Sequence, residues 1–137
     1  MNNLATLKIL IRGAGEMASS AACRLFNSGF QRIVMTEVSQ PLAVRRGVSF
    51  CDAVRYGWYE VEQIKAVKID NVAQAEETWK NHLIPILVHP KNIANTIFRP
   101  DILVDAVMAK KNTGVHISDS PLVIALGPGF LAGRDAH

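Results

Sequence analysis

The sequence is short of most features that mark a function at sight. It has two cysteines, Cys23 and Cys51, in 137 residues. That is too few for a disulfide framework and points to a reducing cytoplasm. Its four histidines, His82, His89, His116 and His137, have no zinc-like spacing with those cysteines, so no metal site is expected. No apolar run approaches the roughly 20 residues that cross a bilayer. The run "LKILI" (7–11) is too short for a secretory signal, and Arg12 interrupts it. The net charge of +3 is mild and scattered, with only Arg45-Arg46 and Lys110-Lys111 adjacent, so nucleic acid is not an expected partner. No serine or cysteine lies in a nucleophile motif. "SFCDAV" around Cys51 reads as a small buried residue, and Asp119 before Ser120-Pro121 as turn chemistry. Repeats, linkers and low-complexity stretches are absent.

What the sequence does have is an alternation of short apolar runs and helical spacing, over a length that suits one domain (1–137) with a real core. Residues 7–11, 32–37, 84–88, 101–107 and 122–127 read as strands buried on both faces. Residues 16–28 predict a helix stopped by Gly29. Its core-facing arc holds Met17, Ala18, Ala21, Ala22, Leu25 and Phe26, with Cys23 on the opposite arc. Residues 41–56 predict a broken helix ending at Gly57, and 59–69 a small hairpin at the sheet edge. Asp70 is expected to cap a helix running to His82, and residues 92–97 to supply another short one. The expected fold is α/β: a Rossmann-like, mostly parallel sheet with helices on both faces.

Gly13-x-Gly15-x-x-Ala18 falls between a predicted strand and a predicted helix, the context a dinucleotide fingerprint requires. Gly13 suits the tight turn, Gly15 a close approach of backbone to diphosphate, and Ala18 helix–sheet packing. Gly13, Ala14, Gly15, Glu16 and Met17 are therefore candidate cofactor-binding residues, with the helix N-terminus facing the phosphates. Glu16 fits awkwardly, since its carboxylate repels phosphate; capping the helix is its other role. Glu37, at the end of the second strand, stands where an acid bonds a ribose hydroxyl. Arg45 and Arg46 favour an extra phosphate instead, so the two indications conflict.

Open α/β sheets bind ligands beyond the carboxyl ends of their strands. That rule gathers His89, Asp105, Lys110, Asn112 and Gly127-Pro128-Gly129 on the rim that carries Gly13. Asp105 and Lys110 are too distant in sequence to be called a pair, but both follow one strand and are the candidate catalytic residues, Lys110 contacting an anion and Asp105 orienting it or acting as a base. Asn112, Gly127 and Gly129 are candidate ligand contacts.

Four stretches, "ILIRGAGEMAS", "VMTEVSQPLAVRRGVSFCDAV", "RPDILVDAVMAKKNTG" and "VIALGPGFLAGRDAH", resemble the YqeB-like accessory proteins of selenium-dependent molybdenum hydroxylase systems. The likeness is weakest over 59–93. It implies a bacterial cytoplasmic maturation factor that helps make or insert the cofactor of a molybdenum hydroxylase partner. NAD(P) and molybdopterin dinucleotide are the ligands considered, since both carry a diphosphate. Chains of this kind continue past "AGRDAH", so a C-terminal portion is expected to be missing here. The alternatives are an NAD(P)-dependent oxidoreductase and a non-catalytic ligand-sensing or docking module.

Overall fold

Three consecutive isoleucine and leucine residues, Ile9 to Ile11, are all buried in β1 (Lys8–Arg12). A strand needs apolar residues on both sides only when both of its faces are covered. The computed structural model describes residues 3–88 and 98–137. Among these residues the chain runs through β1, α1 (Glu16–Asn27), β2 (Arg32–Glu37), α2 (Asp52–Tyr56), β3 (Trp58–Val61) and β4 (Ile64–Ile69). It continues through α3 (Ala75–Lys80), β5 (Ile84–Val88), β6 (Ile102–Asp105) and β7 (Leu122–Ala125).

The seven strands form one sheet in the order β3-β4-β5-β2-β1-β6-β7. Every neighbouring pair is parallel except β3–β4, the hairpin expected at the edge. Its two turn residues, Glu62 and Gln63, have φ of 51° and 67°, as a two-residue primed turn demands. The class is thus α/β with a mixed, mostly parallel sheet. Strand alternation sorts the core into two clusters. Ile9, Ile11, Ile33, Met35, Ile84 and Ile86 pack with Ala18, Ala22 and Cys23 of α1. Leu10, Val34, Leu87, Leu103 and Val123 pack with Ala75 and Trp79 of α3.

From β1 the chain first moves out to β2 and later to β5, then returns to β6 on β1's other side. The connections leaving β1 and β6 therefore diverge, which opens a crevice at their carboxyl ends.

Local details depart from the sequence pattern in three places. The buried face of α1 is Ala18, Ser19, Ala22 and Cys23, while Met17 is exposed. Hydropathy misplaces this face because Ser19 is polar yet fully satisfied inside: its hydroxyl donates to the Ala14 carbonyl and accepts the Phe50 N–H. Cys23 packs as a small apolar residue, and burial, with the Glu62 charge second, pushes its thiol up to about 11. The cap before α3 is Asn71, reciprocated by Gln74, and not Asp70. Finally, 41–56 is mostly non-helical, with a 3-10 turn at Arg46–Val48 before the short α2. Leu42 and Val44 in that stretch have nothing to pack on and are exposed. The helix expected over 92–97 and the candidate His89 lie outside the described residues.

The last turn gives a pH prediction. Asp135 accepts bonds from the Arg134 guanidinium and the Leu131 N–H, which hold its carboxyl down at about 2. A folded-state value below the unfolded one stabilises above the unfolded value and is lost as pH falls through the folded one. This contribution should therefore be complete above about pH 4 and vanish toward pH 2. Thermal melts of Asp135→Asn across that window should lose this part of the pH dependence.

Candidate functional site

The turn after β1 contains two glycines with different reasons to be glycine. Gly13 has φ of +107°, and a Cβ there would sit 3.0 Å from the Ala106 carbonyl oxygen. Its requirement is internal. Gly15 has an ordinary φ of −73°, and a Cβ there would meet nothing within 4 Å. Nothing among the described residues requires a glycine at that point. Gly15 is also the N-cap of α1, with no side-chain cap bond. The N–H groups of Gly15, Glu16 and Met17 donate to no described residue.

The turn itself is held rigidly. The Gly13 N–H donates to the Thr36 carbonyl at 2.7 Å, and the Ala14 N–H to Glu37 Oε2 at 2.8 Å. The Ala14 carbonyl accepts from the hydroxyls of Ser19 and Ser49 and from the Cys51 thiol. Ser19, Ser49 and Cys51 are all buried, as the sequence reading expected of Cys51 but not of the two serines. Burial pushes the Cys51 thiol up, with the Glu37 charge adding to it, which favours the protonated form that donates to the Ala14 carbonyl. Ser49→Ala should cost about 1–3 kcal/mol, because the Cys51 N–H loses its buried acceptor; urea unfolding measures this.

Glu37 sits at the end of β2, its second oxygen accepting the Val38 N–H at 2.9 Å. Glu16 does not cap α1; its carboxylate accepts the Arg45 backbone N–H. Arg46 bonds Asp52 through Nε and Nη2 at 3.0–3.2 Å, whereas the exposed Arg45 side chain bonds to no described residue.

Asp105 is brought to the same end of the sheet but not to Lys110. It is 1% exposed and bonds Arg12 Nη1 at 2.9 Å and the Val107 N–H at 3.2 Å. Burial pushes its carboxyl up, against the opposing pull of Arg12 and the Val107 N–H. Lys110 is exposed on the following loop. Asn112 orders that loop from within: its side chain accepts from Gly114 and Val115 N–H and donates to the Val115 carbonyl. A Cβ at Gly127 would lie 3.3 Å from Met108 Cα, and one at Gly129 2.6 Å from the Lys111 carbonyl carbon. These glycines let two loop backbones pack together. Gly129→Ala should therefore lose about 1–3 kcal/mol in urea unfolding, whereas Gly15→Ala should lose no more than about 1.

Arg12, Gly13, Thr36, Glu37, Val38, Val107 and Thr113 line a crevice of about 200 Å³ where β1, β2 and β6 end. It brings Gly13 and Glu37 together with Arg12, which sequence analysis had treated only as a break in an apolar run.

No protein-family model matches the chain. It is similar to the Escherichia coli (strain K12) protein described as "Uncharacterized protein YqeB". The two are 40% identical over 129 residues, which cover 94% of this chain. The chain spans about a quarter of the length of that curated relative, 24% of it. Among the described residues, no helix is long and apolar enough to cross a membrane.

Proposed function

We propose that this chain is a Rossmann-like nucleotide-binding domain, in which the Gly13–Met17 turn receives a ligand's diphosphate and Glu37 a ribose. The carrying observation is the uncapped N-terminus of α1 at Gly15, where neighbouring N–H groups donate to no described residue and, among the described residues, no contact calls for a glycine. The strand order supports the same reading. With the β3–β4 hairpin set aside, β5-β2-β1-β6-β7 follows the doubly wound pattern, and the turn lies at its switch point. Exposed Val38, beside Glu37, offers an apolar surface to a base.

The ligands that fit are NAD(P) and the nucleotide end of molybdopterin dinucleotide, since each places a diphosphate between a ribose and a second half. The resemblance carried by the motifs quoted above implies a role as an accessory factor in molybdenum hydroxylase maturation, and that role is part of this proposal. Binding without turnover is favoured over an oxidoreductase, because Asp105 is buried behind Arg12 and Lys110 is outside the crevice.

The conflict between ribose indications leans toward an unphosphorylated ribose, because Glu37 lines the crevice and neither Arg45 nor Arg46 does. Glu37→Ala should therefore weaken NAD more than NADP, while Arg45→Ala should weaken only NADP, by about 1.5–3 kcal/mol if it contacts the phosphate. Calorimetry separates the two; equal small effects would place this segment off the ligand. The broader test is a thermal-shift panel of NAD, NADP, cytidine nucleotides and molybdopterin dinucleotide. A ligand at 100 times its Kd stabilises by about 2.7 kcal/mol. A flat response to every nucleotide would contradict the proposal.

A further inference from the structure

The glycine fingerprint gives a purpose to each small residue of the turn but none to a cation directly before it. Arg12 occupies that place, at the end of β1, with its side chain 14% exposed. It faces Asp105 of β6 and Thr36 of β2 in the strand register, between the two diverging connections. Nη1 donates to Asp105 and Nη2 to the Thr113 carbonyl at 3.3 Å. A guanidinium has five N–H donors, so others remain without an acceptor among the described residues.

Asp105 is no alternative contact, since it is buried and both of its oxygens are engaged. A buried ion pair is on average no more stabilising than a well-packed apolar pair, so stability alone does not account for a cation here. Glu37 also lines the crevice and opposes a second anion. Its carboxylate, however, is held by the Ala14 and Val38 N–H groups at the β2 side.

We propose that Arg12 binds an anionic oxygen, phosphate or carboxylate, on the part of the ligand lying toward β6, with Asp105 as the residue that positions the guanidinium. This rests on the nucleotide reading: Glu37 takes the nucleoside on the β2 side, and Arg12 meets what extends past Gly13 in the other direction.

Three measurements test it. In the ¹⁵N spectrum, the Arg12 Nε–H resonance should move saturably as inorganic phosphate is added. In Asp105→Asn the phosphate concentration that half-saturates this movement should rise several-fold, and an unchanged midpoint would confine Asp105 to a structural role. Calorimetry then identifies the source of the anion. If it is the second phosphate, ADP should bind about tenfold more tightly than AMP; if it is a carboxylate further along, the nicotinate analogue of NAD should exceed NAD by a similar factor. In either case the advantage should shrink in Arg12→Lys and disappear in the paired variant Arg12→Met with Asp105→Leu, which removes both buried charges together and so keeps the fold. Nucleotide binding whose preferences survive the paired variant would overturn the role of Arg12 while leaving the nucleotide reading standing. A phosphate response at Arg12 without nucleotide binding would do the reverse. An Arg12 resonance unmoved by phosphate would overturn the assignment.

Discussion

Asp105→Leu should destabilise the domain by about 3–5 kcal/mol, the largest stability loss expected of any single change at the crevice. Asp105 is 1% exposed and holds the Arg12 guanidinium at 2.9 Å. Removing the carboxylate leaves a positive charge, itself mostly buried, without its counter-ion. Leucine fills the volume but cannot replace the acceptor for Arg12 or for the Val107 N–H. Adding Arg12→Met should recover most of the loss, since the pair is then replaced by apolar contact. A double-mutant cycle by urea denaturation reads this directly, and simple additivity of the two changes would mean that the pair is not coupled.

Gly15→Asp should act in the opposite sense on stability and binding. Aspartate is a good N-cap, and a negative charge at a helix start is favourable, so α1 should gain a few tenths of a kcal/mol. Space is available, because a Cβ at Gly15 meets nothing within 4 Å. The same carboxylate would occupy the N–H groups offered to a phosphate and repel it. Nucleotide affinity should fall about 30- to 160-fold, corresponding to loss of about 2–3 kcal/mol of charge-assisted hydrogen bonding. Calorimetry on the variant, with its melting point measured alongside, tests both halves. A protein more stable than wild type but no weaker in binding would remove the phosphate from this turn.

The strands were legible in the sequence because both of their faces are buried, so "RIVMTE" is β2 residue for residue. The turn at Gly13 was legible because its two glycines stand between a strand and a helix. What hydropathy could not reveal was polar satisfaction at a distance. Ser19 and Ser49 look like surface residues until their shared acceptor, the Ala14 carbonyl, is known, and that contact spans 35 residues for Ser49. Asp105 shares with Lys110 only a place after the same strand, which is all the sequence offers, whereas parallel register places it opposite Arg12, 93 residues away. Gly127 and Gly129 have a packing reason to be glycine that one dimension does not reveal, since a Cβ at either would press on the backbone of Met108 to Lys111.

The most direct test of the central claim is an amide ¹⁵N titration of the wild-type chain with NAD and with a cytidine diphosphate nucleotide. The account predicts saturable shifts for at least one of them, concentrated at Gly13 to Met17 and at Glu37 and Val38, with the β3–β4 hairpin unaffected. Saturable binding whose shifts leave Gly15 and Glu16 unmoved, or no binding of any diphosphate nucleotide, would contradict it.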